Sequence, residues 1–190
     1  MRTIGLAFLV LAGTSGVAYA DVFAFADVEG FERCLETDHV IETVKTAKGE
    51  QTRVLGPAEI QVRCVDSAVK LLSGNKDKDT IMSFLEAAKR GTAHENALGL
   101  AGLLAEASLP ACNDMALYEV LLKALSHPKG AGSSSYFVRA KSVVKRCLKD
   151  PDFKKDFLEE KDSSSAYVGA NACAILLEEK LVKSCKGGKK

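Results

Sequence analysis

Three histidines and six cysteines are the residues of this 190-residue chain with the most chemistry to offer. The histidines are far apart, at His39, His94 and His127. His94-Glu95 opens like a zincin helix, whose second histidine must follow one turn later so that both ligands share a face. That position is Leu98, which excludes the motif. His127 precedes Pro128 where a helix is expected to end, and a helix C-terminus favours an imidazolium. Asp77-Lys78-Asp79 begins like a calcium loop, but Met82 stands where the turn glycine belongs and Ala88 where the bidentate glutamate belongs. The serines at 133–135 and 163–165 are outside any G-x-S-x-G elbow and lie where helix caps are wanted. No glycine loop has phosphate-binding spacing. Glu159-Glu160 and Glu178-Glu179 are adjacent in sequence, so on a helix they diverge instead of forming an acid/base couple. This reading contains no catalytic residue, no cofactor-binding residue and no metal ligand; the chain is expected not to be an enzyme.

The cysteines point elsewhere. Arg2, an apolar run from Ile4 to Val17 and then Ala18-Tyr19-Ala20 read as a secretory signal peptide over residues 1–20, leaving Asp21 first in the mature chain. An exported protein with Cys34, Cys64, Cys112, Cys147, Cys173 and Cys185, and no C-x-x-C, is expected to form three disulfides, with fifteen pairings possible. Beyond the leader no apolar run is long enough to span a bilayer, so the mature protein is expected in the periplasm or outside the cell, with no membrane association. Without Arg2 the chain has 25 basic and 25 acidic side chains (26 − 1 against 25), which argues against a nucleic-acid partner. The end, Lys186 to Lys190, reads as a solubilising basic tail.

These residues must be positioned by the following elements. Residues 21–56 read as a short helix with Phe31, Cys34 and Leu35, then a β-hairpin: His39–Val44, rich in β-branched residues, a turn at Ala47–Glu50, and Thr52–Leu55. Gly56-Pro57 ends it and starts a helix. From there to 185 the pattern is helical. Val62, Val65, Val69 and Leu72 recur at helical spacing, and Ser73-Gly74-Asn75 stops that helix. Asp79 or Thr80 is expected to cap the next, with Ile81, Phe84, Leu85 and Ala88 inward. Thr92 and Glu95 form a capping-box pattern before the charge-free segment 96–105, which should be buried on several faces. Gly99 and Gly102 in that segment should let neighbouring helices approach. Asn113 or Asp114 should cap a helix through Leu117, Val120, Leu121, Ala124 and Leu125; a linker is expected at Gly130–Ser135. A stripe of Phe137, Ala140, Val144, Cys147 and Leu148 follows, then a short helix from Pro151, and a last one from Ser165 to Val182.

The chain also echoes itself. Ser133 to Ala140 is repeated 30 residues later by Ser163 to Ala170, and Val62-Arg63 resembles Val138-Arg139. Second helices thus recur at the spacing of stacked two-helix repeats. On Val62-Arg63, Ala97 to Leu104 and Val138-Arg139-Ala140, residues 57–182 resemble the HEAT-like, armadillo-type α-solenoid superfamily. The resemblance implies an all-α stack of antiparallel helix pairs, here with an N-terminal β-hairpin and disulfide staples, that holds another protein. The concave face of the second helices, around Arg63 and Arg139, is the expected contact surface. The alternative is a small-ligand or lipid carrier with a cavity around Leu98 to Leu104; a hydrolase with an unrecognised site is a third class. In such a fold Cys112 lies beside Cys147, and Cys34 and Cys64 flank the hairpin. Cys173 and Cys185 remain, but a continuous helix would hold them about 18 Å apart. Either the last helix breaks near Glu179 and turns back, or Cys147 pairs with Cys185.

Overall fold

The computed structural model describes residues 22–47, 49–127 and 134–185, which leaves the expected signal peptide, most of the expected linker and the basic tail outside it. Eight α-helices and one two-stranded sheet make up the described part. Helix α1 is Val28–Leu35, strands β1 and β2 are Val40–Thr46 and Gly49–Leu55, α2 is Pro57–Leu72 and α3 is Lys78–Gly91. After a 3-10 turn at His94–Ala97 come α4, Leu98–Ala107, and α5, Met115–Leu125. Helices α6, Ser134–Cys147, α7, Pro151–Glu159, and α8, Ala166–Glu178, complete the chain.

Local chemistry accounts for most boundaries. Asp27 caps α1 by accepting from the Gly30 amide at 2.8 Å. Pro57, with no N–H to leave unbonded, opens α2, and Gly74 at φ 83° ends it, where a side chain would be strained. The cap of α3 is Asp77, not Asp79 or Thr80: its carboxylate accepts from the Asp79 amide at 3.2 Å and from the Thr80 hydroxyl at 2.5 Å. The expected capping box at Thr92 does not form. Thr92 instead ends α3, and α4 grows out of the 3-10 turn because Glu95 turns to His127 and Asn96 donates to the Thr92 hydroxyl at 2.8 Å. Asp114 precedes α5 without a capping bond, its carboxylate drawn to Lys78 at 3.0 Å. Asp150 caps α7 through the Asp152 and Phe153 amides, each at 3.0 Å. Ser134, expected in the linker, already belongs to α6.

Helix α4 is the centre of the packing. Leu98, Leu100, Ala101, Leu104 and Ala105 are buried, and α2, α3, α5 and α6 all pack around them. Along one side α2, α4 and α6 are successive neighbours; on the other α1, α3, α5 and α8 follow one another, with α7 against α8. A methyl built on Gly99 would lie 2.7 Å from Val69 Cγ2, so α2 and α4 meet at that glycine, whereas Gly102 faces Val143 at 3.7 Å. Arg146 of α6 donates to the carbonyls of Ala105 and Glu106 at 2.8 and 3.2 Å, placing its charge at the α4 C-terminus. The stripe of α2 is rotated from the expected one: Ile60, Cys64, Val65, Ala68 and Leu72 are buried, and Val62 faces outward.

Three cysteine pairs lie at disulfide distance: Cys34–Cys64 with Cα atoms 6.0 Å apart, Cys112–Cys147 at 5.5 Å and Cys173–Cys185 at 6.1 Å. The last depends on a helix end that falls short of Val182. At Lys180 the backbone turns left-handed, φ 58°, its amide bonds the Leu177 carbonyl at 3.0 Å and the Leu181 amide bonds that of Leu176 at 2.9 Å. This is a Schellman motif with lysine in the usual glycine place, and it sends the chain back toward Cys173. Among the described residues no helix is long and apolar enough to cross a membrane.

Candidate functional site

Helix α2 follows the hairpin at once, and its first two turns send side chains to the strands. Glu59 and Arg63, one turn apart, face the hairpin together. In the hairpin Val40, Glu42 and Val44 share the body-side face and pair across the ladder with Leu55, Arg53 and Gln51. Val40 and Leu55 are buried at the base. Between them and the open tip sits Glu42, whose side chain is only 7% exposed.

Glu42 accepts from Arg63 Nη1 at 2.7 Å and from Arg53 Nε; both guanidinium groups also reach Glu59 Oε1 at 2.8 Å. Two carboxylates and two planar forks therefore close a ring joining β1, β2 and α2. The Arg63 bond, then the Arg53 bond, holds the Glu42 carboxyl below its ordinary range, against the opposing effect of burial. Arg53 is shifted upward, chiefly by its bond to Glu42. A buried carboxylate is tolerated because it is paired and hydrogen-bonded. Beside the ring an open groove of about 680 Å³ is lined by Val44, Lys45, Gln51, Arg53 and Arg63 among others. The strands around it expose Ile41, Val44 and Val54, the last at 65%.

Of the two arginines expected to meet a partner, Arg63 lines this groove and is engaged with Glu42 and Glu59. Arg139 does not line it; it is exposed on α6 beside the equally outward Val138. Glu42 and Arg53 escaped the sequence reading, although the alternation Val40, Glu42, Val44 put a carboxylate on the buried parity of a strand.

The histidines are not gathered. His39 is exposed before β1 and His94 starts the 3-10 turn. His127 Nε2 meets Glu95 Oε1 at 3.1 Å, while the Asn171 amide donates to the carbonyls of Leu125 and His127 at 2.7 and 3.0 Å. Tyr136 donates to Asn96 at 3.0 Å. These bonds tie the exits of α3 and α5 to α6 and α8, which is a joining role. Glu160 accepts from Tyr118 at 3.1 Å, and Lys141 and Lys145 engage Glu178 and hold its carboxyl down to about 2. Among the described residues no three His, Cys, Asp or Glu side chains are grouped to hold a metal ion. Comparison of the chain with family models, with curated proteins and with solved structures finds no match.

Proposed function

We propose that this chain is an exported, non-catalytic protein-binding module, built as a HEAT-like stack of helix pairs, that meets its partner at the hairpin groove. The observation that carries the reading is the hairpin itself. It buries little beyond its base, yet a four-residue ion-pair ring ties both strands to α2, and the Cys34–Cys64 pair joins the helices before and after it. A two-stranded sheet is marginal on its own, so this reinforcement is spent on presenting a surface rather than on building a core. The side-by-side order of α2, α4 and α6, the second helices of successive pairs, supports the stack. Three cysteine pairs fit an oxidising compartment. Leu98, Leu100 and Leu104 are fully packed, which favours protein binding over a carrier with a cavity there.

The test is photo-crosslinking in the native exported setting. A photoreactive residue at Val44 should capture one discrete protein, and the same residue at exposed Lys155 on α7 should not. Equal capture at both positions, or none at Val44, refutes the reading.

A further inference from the structure

Resting on the reading of the chain as a protein-binding module, we propose that the partner supplies an extended peptide segment that adds antiparallel to the free edge of β1, with an acidic side chain placed to meet Lys45. Ladder parity decides which backbone groups are on offer. Thr46 and Gly49 pair across the two-residue loop and so form its closing hydrogen-bonded pair. Alternation then turns Val44, Glu42 and Val40 inward to β2, while Ile41, Thr43 and Lys45 direct their N–H and C=O groups away from it. Among the described residues no third strand takes up that edge. A row of outward amides and carbonyls at every second residue recognises a main chain, and side chains beside it select the sequence.

The groove favours β1 over β2, since it follows β1 from Glu42 to Thr46 but β2 only from Gln51 to Arg53. Charge then chooses the occupant. The Glu42 carboxylate is already matched by Arg53 and Arg63, so it offers an incoming strand nothing. Lys45 is 88% exposed and only loosely placed against Glu50, at 3.9 Å. A strand with a carboxylate opposite Lys45 gains from this edge, and a basic strand is repelled. A second copy of this chain fits poorly. Paired antiparallel to itself about Thr43, β1 sets Lys45 against Ile41; about Val44 it sets Lys45 against Thr43; about Lys45 it opposes two ammonium groups. The one acid of β1, Glu42, is turned into the body. Ile41 and Val44, both exposed, favour apolar or β-branched side chains on the incoming strand.

The experiment selects displayed random dodecapeptides on the oxidised, folded chain. Enriched peptides should alternate β-branched or apolar residues and contain Asp or Glu. Thr43→Pro removes one outward N–H and should weaken them about tenfold, whereas Thr52→Pro, its counterpart on β2, should change binding by less than about twofold. Lys45→Glu should shift selection to basic peptides. On the unaltered chain, bound peptide should slow amide exchange at Ile41, Thr43 and Lys45, which keeps the test valid even where a proline variant loses the hairpin. The proposal is overturned by no enrichment, by proline-rich or purely basic winners, by unchanged exchange at those amides, or by a dimer formed through residues 41–45. If crosslinking at Val44 still captures a protein that Thr43→Pro does not release, strand addition fails and the protein-binding reading stands. If crosslinking captures nothing, that reading itself fails.

Discussion

Gly99 and Gly102 lie one turn apart on α4, and what they face predicts opposite outcomes for the same substitution. A methyl at Gly99 falls 2.7 Å from Val69 Cγ2, well inside contact distance, whereas one at Gly102 meets Val143 Cγ2 at an ordinary 3.7 Å. Val69 is β-branched, so its χ1 is stiff and it yields poorly. Alanine gains about 0.8–1.0 kcal/mol over glycine in a helix interior, which applies in full at Gly102 and less at Gly99, the second residue of α4. Overpacking at Gly99 adds a cost of about 1–3 kcal/mol. Gly99→Ala should therefore be neutral to destabilising by about 2 kcal/mol, and Gly102→Ala stabilising by nearly 1 kcal/mol. The two variants should melt apart, since about 1 kcal/mol corresponds to about 2–4 °C for a domain of this size. Urea unfolding of the oxidised protein, followed by far-ultraviolet circular dichroism, measures the difference. The double variant Val69→Ala/Gly99→Ala locates its cause. Removing the Val69 methyls makes room for the new one, so the pair should be more stable than the sum of the singles by about 0.5–3 kcal/mol. Equal stabilisation by Gly99→Ala and Gly102→Ala, or strict additivity with Val69→Ala, would refute the contact.

Asn171 is 1% exposed and supplies the donor for two carbonyls, so Asn171→Leu should destabilise by about 1–3 kcal/mol in thermal unfolding. Asn171→Asp, which loses the amide donor, should not rescue it. Among the cysteine pairs, the sequence separations of 12, 30 and 35 order the loss on replacement by alanine: about 2.8 kcal/mol for Cys173–Cys185, about 3.7 for Cys34–Cys64 and about 3.8 for Cys112–Cys147 on the loop-entropy relation. Non-reducing peptide mapping confirms the pairing and unfolding curves give the order. The Glu42 carboxyl is held below its ordinary value of 4.5, so its contribution to stability is complete above that value and is lost as pH falls through the lower folded value. Hairpin amide exchange, corrected for intrinsic rates, should rise in that acid window, and Glu42→Gln should remove the dependence while loosening the hairpin at neutral pH.

What could be read from the sequence was local. The inward residues of α3, Ile81, Phe84, Leu85 and Ala88, are buried as their spacing implies, because a helix facing one core shows its period directly. The hairpin was visible in β-branched residues around a glycine, and Pro57 at a helix start needs no distant partner. Cys112 beside Cys147 was expected of an antiparallel helix pair and Cys34 beside Cys64 of a chain returned by the hairpin, and both pairs lie at disulfide distance. Two of the failures involve groups recruited from afar. Thr92 and Glu95 have the spacing of a capping box, yet Glu95 is taken by His127, 32 residues away, and the helix opens differently. Asp114 is in cap position, but Lys78 of another helix claims its carboxylate. The end of α8 is of another kind: a helix to Val182 overran it, but the alternative of a break near Glu179 is what the left-handed turn at Lys180 makes, and it brings Cys185 to Cys173. At Glu95 and Asp114 tertiary bonds outbid local ones, whereas Asp150 keeps both, accepting from Asn113 at 3.0 Å while it caps α7.

The same argument explains why the candidate site was only half legible. Arg63 drew notice through its place in a repeated Val-Arg pair, but its role is set by Glu42, 21 residues earlier, and by an arginine from the other strand. Nothing in a single segment announces such a ring. Its cost is informative nonetheless. Only Glu42 of the ring is buried, and an apolar residue in place of a buried, paired carboxylate is often neutral or stabilising, so a hairpin seeking only stability has simpler solutions. Open strand edges are moreover a liability that proteins usually cover or blunt. Here the chain fixes a hairpin through charged groups, staples its root with Cys34–Cys64 and leaves both edges uncovered among the described residues. Ile41 and Val54, paired on its outer face, remain in water. Rigid attachment without coverage keeps the strand in one register and lowers the ordering cost of receiving another. A hairpin that served only the helical core would need Val40 and Leu55 and little beyond them.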